Sequence, residues 1–293
     1  MIVNRNAMSI AVAGLLGLAL QASAAAPAAV AGTAARPAAK TLAPRPVAAP
    51  LLPALSAQQV VEKYVAARGG ASAWKAVQTM TFKGKMGAGA TTYEAVTEKR
   101  TLERKEREEM MLPFVLESKR PNKSRLELTF NGQTAVQVYD GTNGYKYRPY
   151  LGREEWMPYS AEELKRAAAE PGIDGLLIDY AARGSRVESA GTDTVEGKGA
   201  YRLKVTGKDG QVRHAWIDAT SFLEVKEDGA PRKLDGKLHP VAVYLRDYKA
   251  EAGLMIPRVI ETAVQGVPKT EKIIIDSVAV NPPLDDARFQ KPK

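Results

Sequence analysis

A mainly β protein, folded as a strongly curved antiparallel sheet or partial barrel with a few helices, is the fold class that the sequence predicts. Three observations predict it. Apolar residues alternate with polar ones along many segments, as in Leu126, Leu128 and Phe130 against Arg125, Glu127 and Thr129, which is the period of a strand with one wet face. Asn131-Gly132, Asp140-Gly141, Asn143-Gly144 and Asp209-Gly210 supply hairpin turns between such segments. The strand-like segments are also too many for a small open sheet to hold without curling.

The chain opens with Arg5 and an apolar stretch from Ile10 to Leu20, shorter than the roughly 20 residues of a membrane-spanning helix. Ala22-Ser23-Ala24 then offers the small side chains of a cleavage site, so residues 1–24 are expected to be a signal peptide cleaved near Ala24. The chain contains no cysteine. Disulfides, thiolate metal sites and lipidation of a mature N-terminal cysteine are thereby excluded, and a soluble periplasmic product is expected. Residues 25–55 are rich in Ala and Pro and read as a flexible tether. Residues 56–293 are then expected to form one domain.

That domain starts with a capping box, Ser56 with Gln59, flanked by Leu55 and Val60 at the spacing of a hydrophobic staple. A helix from Ala57 to about Arg68 follows, ended by Gly69-Gly70, with a short further turn over 71–77 carrying Trp74. Strands are predicted near 79–86, 91–98, 111–118, 125–130, 134–139 and 144–148. A second capping box, Ser160 with Glu163, opens a helix to about Ala169, and Asp174 to Ala182 reads as another, ended by Gly184. Further strands are predicted near 186–190, 201–206, 211–218, 222–227, 241–245, 256–264 and 270–280. The mixed charges of Glu98 to Glu109 suit an exposed strand pair or a solvated insertion.

Charge and motifs exclude several functions. Residues 1–55 hold Arg5, Arg36, Lys40 and Arg45 and no acids, so removing four charges from the formal +9 leaves +5 for the domain. That mild excess, without a clustered basic face interleaved with aromatics, argues against nucleic acid. The two histidines, His214 and His239, have no sequence neighbours that would make them bases or ligands. Nucleophile elbows, His-Glu-x-x-His sites and phosphate-cradling loops are missing from the sequence. Scattered acids such as Asp140, Asp179 and Asp218 could assemble a hydrolase only through the fold, and Asp140 beside Gly141 reads as a turn residue. No enzyme, metal or cofactor is expected. What recurs is apolar surface with methionine and aromatics, an adaptable lining. The expected lining is Trp74, Met111, Phe114, Leu126, Leu128, Phe130, Val136, Val138, Tyr201, Leu203 and Val205, with Arg68, Gly69 and Gly70 as a hinge of the helical cover.

Several segments together carry a resemblance: Tyr64 to Gly70 (YVAARGG), Lys119 to Arg125 (KRPNKSR), Val138 to Tyr145 (VYDGTNGY), Gly191 to Gly197 (GTDTVEG), Asp247-Tyr248, Gly253 to Pro257 (GLMIP), and Asn281-Pro282-Pro283 on to Phe289. In that order they resemble the outer-membrane lipoprotein-sorting (LolA-like) family. The resemblance implies an incomplete antiparallel barrel covered by helices. It also implies a monomeric carrier whose cavity takes lipid or lipoprotein acyl chains across the periplasm, between inner- and outer-membrane donor and acceptor proteins. The Ala/Pro tether and the Glu98 to Glu109 run depart from the compact members. An envelope sensor using the same pocket and an exported hydrolase are the alternatives.

Overall fold

The computed structural model describes residues 52–88, 92–96, 102–106, 110–234 and 236–292. The expected signal peptide, most of the expected tether, and the charged run outside Leu102–Glu106 lie outside the described residues. Leu52 and Leu55, at the end of the tether segment, pack on the core, and the Tyr201 hydroxyl donates to the Pro53 carbonyl oxygen.

Two helices open the described chain, α1 (Ala57–Ala67) and α2 (Ala71–Ala76). Strands β1 (Thr79–Ala88), β2 (Thr92–Val96), β3 (Leu102–Glu106), β4 (Met110–Lys119), β5 (Lys123–Phe130), β6 (Gln133–Tyr139), β7 (Gly144–Arg148) and β8 (Arg153–Pro158) follow. Helix α3 (Ala161–Ala169) separates them from β9 (Arg186–Val195), β10 (Lys198–Thr206), β11 (Val212–Asp218), β12 (Glu224–Leu234), β13 (Lys237–Glu251), β14 (Leu254–Val264) and β15 (Glu271–Val280). Both capping boxes form as expected, with Ser56 and Ser160 each exchanging bonds with the third residue on. Strand β8 is additional to those read from sequence, and β3 falls in the charged run read as an exposed strand pair or a solvated insertion. β3 pairs only with β2, in a separate two-stranded sheet.

The other 13 strands form one antiparallel sheet in the order β8-β7-β6-β5-β4-β1-β15-β14-β13-β12-β11-β10-β9. It curves strongly and does not close, because β8 and β9 remain unpaired edges. The helix expected over Asp174 to Ala182 is absent. A 3₁₀ turn at Gly172–Asp174 is followed by turns. Gly175 at φ 66°, ψ −163° and Asp179 at φ 52° break any right-handed run there.

One face of the sheet, here the inner face, is covered by α1, α2 and residues 172–184. Val60, Val61, Tyr64, Trp74, Leu177 and Ile178 of the cover join apolar residues of β1, β4, β10, β11, β13, β14 and β15 in one buried cluster. On the opposite face a 3₁₀ turn at Asp286–Phe289 packs across β5 and β6. Arg288 pairs with Glu117 at 2.7 Å and Asp286 bridges Lys119 and Lys123 at 2.9 Å each. Phe289 is fully buried there. Phe289→Ala is expected to cost about 3 kcal/mol in urea unfolding; a loss below about 1 kcal/mol would show the strap to be peripheral.

Candidate ligand-binding face and its cover

The expected lining residues divide between the two faces of the sheet. Phe114 sits opposite Leu128, and both pack in or against the inner cluster, as does Leu126. Tyr201, Leu203 and Val205 lie there too, opposite Ile217, Ala215 and Arg213. Trp74 reaches the same cluster from the cover. Phe130 packs edge-on against Tyr150, and Met111, opposite Gly87, is half-buried.

Val136 and Val138 face the other way. They pair with Glu127 and Arg125, on the side covered by the C-terminal strap. The two-residue turn Asn131-Gly132 explains this, since Phe130 opposite Gln133 makes even positions of β5 share a face with odd positions of β6.

Two polar ties hold the cover. At the first, Arg120, just beyond β4, sends Nη1 and Nη2 to the Asp174 carboxylate at 2.6 Å each. Its Nε and Nη2 also donate to the Val77 and Trp74 carbonyls at 2.6 and 3.1 Å. One guanidinium therefore joins the sheet to α2 and to residues 172–184, in bidentate geometry.

At the second tie, Arg68 caps α1 with only 2 % of its surface exposed. Its Nε donates to the Met255 carbonyl at 2.7 Å, Nη1 to the Tyr64 hydroxyl at 2.7 Å, and its own carbonyl accepts from Met255 N at 3.1 Å and Trp74 Nε1 at 3.0 Å. The Tyr64, Trp74 and Tyr248 rings surround the guanidinium at 4.6–5.8 Å, and burial drives the Tyr64 hydroxyl pKa upward. Gly69 lies so close to the β13–β14 turn that a Cβ would stand 2.3 Å from the Gly253 oxygen.

Beneath the cover the inner face also carries charge that sequence reading missed. Glu224 and Glu227 are three residues apart and would face opposite sides of a regular strand. The bulge at Val225 sets Glu224 opposite Ile217 and Glu227 opposite Ala215, both inner positions. Their exposures are 2 % and 3 %. Arg213 lies on the same face of β11 and donates to the Ala169 carbonyl at 3.5 Å, beside the half-buried Glu170 that ends α3. Burial pushes Glu170 up to about 8 and Glu227 to about 7, against the opposing pull of Arg213. Burial, then Glu227, raises Glu224 well above the ordinary carboxylate range. The one available signal was glutamate at core-facing positions of a strand, and without the bulge it could not be read.

The hydrolase candidates do not converge. Asp140 accepts from the amides of Thr142 and Asn143, and Asp218 from those of Thr220 and Ser221, so both serve turns. Asp179 is exposed on the cover. His214, which had no partner in sequence, meets Asp228 on the outer face with Nδ1 and Oδ2 2.7 Å apart, because β11 and β12 are neighbours. A half-open pocket of about 700 Å³ also lies outside, over Ala200 and Val225. Of its charged groups, Arg246 pairs with Glu196 and Glu261, Asp247 with Lys249, and Asp218 serves its turn.

No family model and no curated protein matches the sequence. Three solved structures share its architecture. A LolA superfamily protein from Nitrosomonas europaea is 14 % identical, with a TM-score of 0.52 over 81 % of this chain and 99 % of its own. A DUF1329 family protein from Desulfovibrio piger is 14 % identical, with a TM-score of 0.51 over 80 % and 97 %. A domain described as an outer membrane lipoprotein-sorting protein, from Vibrio parahaemolyticus, is 11 % identical, with a TM-score of 0.51 over 78 % and 94 %. Nearly the whole length of each superposes on the described domain, and the open 13-stranded sheet with its helical cover has the LolA-like fold.

Proposed function

We propose that this protein is a non-enzymatic periplasmic carrier of lipid or lipoprotein acyl chains. The observation that carries the proposal is one connected apolar cluster along the inner face beneath a cover that polar ties fasten. Side chains of the cover occupy that face in this structure. An acyl chain replaces them when the cover moves, burying about 0.8 kcal/mol per methylene, and a competing acceptor draws it out again. Opening is a population shift set by differential affinity for the two states. In this reading Arg68 with Gly69-Gly70 is the hinge and fixed end, Arg120–Asp174 is the latch, and the inward members of the predicted lining contact the chain.

Further support comes from a neighbour with the same fold described as a lipoprotein-sorting domain and from the signal-like N-terminal sequence, cleaved in this proposal near Ala24 to free a tethered monomer. Among the described residues no helix is long and apolar enough to cross a membrane. Native mass spectrometry of protein purified from the periplasm, before and after solvent extraction, tests the reading. An amphiphile that leaves on extraction and can be reloaded is expected. A protein that neither carries nor accepts one overturns the proposal. Asp174→Asn, which halves the latch, is expected to speed exchange of a fluorescent fatty acid about tenfold, the effect of about 1.4 kcal/mol. Unchanged exchange would remove the latch from the mechanism.

A further inference from the structure

Three carboxylates lie in one neighbourhood where α3 ends beside β11, whose Arg213 donates to the Ala169 carbonyl at 3.5 Å. Glu224 and Glu227 rise from β12, Glu170 comes from the end of α3, and among the described residues none of them forms an ion pair within 4.0 Å. Glu224 Oε1 is buried without any hydrogen-bond donor. The groups facing this cluster are Arg213 of β11, Arg68 and Tyr64 of α1 and its cap, and Tyr248 of β13, while Asp228, next to Glu227 in β12, pairs with His214 on the outer face. Two guanidiniums therefore stand near the buried Glu224 and Glu227 and the half-buried Glu170. Arg68 is already engaged with Met255 and Tyr64.

A buried oxygen with no donor is costly, and the cost disappears when a ligand brings one. Among the described residues no three acidic or imidazole groups converge closely enough to chelate a metal ion. A ligand cation that donates hydrogen bonds would supply the partner that Glu224 Oε1 lacks. The acyl chain proposed above would run along the inner face from the same place, since Ala215 and Ile217, opposite the two glutamates, belong to the apolar cluster.

Resting on the acyl-carrier reading, we infer that the ligand of the inner face bears a primary ammonium, held by Glu224 and Glu227 of the sheet on the side where α3 ends at Glu170. The ammonium donates to carboxylates that ionise as it enters, so binding releases protons and tightens as pH rises from 6 to 8.

The experiment uses the mature full-length protein and three probes with one chain and different heads, decylamine, decanol and decyl phosphate, kept below their micelle concentrations, with ethanolamine as a chainless amine. Calorimetry is expected to show decylamine at least about tenfold tighter than the other two at pH 8. That preference is expected to shrink at pH 6 and to vanish in Glu227→Gln and Glu224→Gln, while their affinity for decanol holds. Equal affinity for all three chains overturns the ammonium inference and leaves the acyl reading intact. Ethanolamine binding as tightly as decylamine keeps the ammonium site and overturns the acyl reading. Binding of none of the four overturns both. Loss of decanol binding together with amine binding in both variants would assign the glutamates a structural role and overturn the inference.

Discussion

Alanine at position 69 is expected to lower the unfolding free energy by about 3–4 kcal/mol, whereas alanine at position 70 costs roughly 1 kcal/mol. Both glycines hold positive φ, 110° and 90°, which strains any L side chain. Only at Gly69 does space also run out, with a Cβ 2.3 Å from the Gly253 oxygen and 3.2 Å from the Leu254 Cα. Those atoms are backbone of the β13–β14 turn and are tied to the cover through Met255 and Arg68, so relief requires the end of α1 to lift. A fall of roughly 10 °C in melting temperature is expected for Gly69→Ala in a domain of this size. The pair of variants separates conformational strain from contact. Equal melting temperatures for the two would show that the close approach carries no energy.

Stability is expected to fall between pH 5 and pH 8, contrary to the usual behaviour of paired carboxylates. Glu170 and Glu227, at about 8 and about 7, and Glu224, raised well above the usual carboxylate range, each start above their ordinary value. Over this window the folded state therefore binds more protons than the unfolded state. Linkage then gives a stability that is full below the unfolded pKa and is lost as pH rises through the folded one. For Glu227 alone the loss is on the order of 3 kcal/mol. The lowered carboxylates, Asp140, Glu163 and Asp218 among them, lose their contribution only below this window, as pH falls through their folded values. Denaturant titrations at pH 5, 6, 7 and 8 check the sign. Glu227→Gln is expected to leave stability at pH 5 nearly unchanged and to raise it at pH 8. A wild-type curve that rises across this range would contradict the buried, unpaired state of the cluster.

Legibility in the sequence followed the range of the forces involved. The caps at Ser56 and Ser160 are local hydrogen bonds and were read to the residue. Alternation in Leu126 to Phe130 and Tyr201 to Val205 located strands and their inner faces, because burial of one face imposes a period of two. The step from one strand to the next was less secure. The Asn131-Gly132 turn already implied that Val136 and Val138 turn away from Leu126 and Leu128, but this follows only if the pairing is taken as Phe130 opposite Gln133. The buried glutamates depend on a bulge at Val225, and the Asp174 latch on a loop meeting Arg120 across 54 positions. Such meetings leave no periodic trace. The run from Asp174 to Ala182 was apolar enough for a helix, yet left-handed backbone at Asp179 turned it into loops that still bury Leu177 and Ile178.

The order of strands bears on how the molecule comes into being. β1 lies in the middle of the sheet, between β4 and β15, and two meanders, β4 to β8 and β9 to β15, extend from it in opposite directions. Each meander can zip by neighbouring hairpins as soon as it is made. They become one sheet only when β15, the last strand of the chain, docks beside β1, nearly two hundred positions earlier. Closure over so long a separation is slow. A nascent chain stopped before residue 271 would therefore be two separate sheet fragments with raw inner edges, and the final strand acts as the keystone that commits the chain to its finished form.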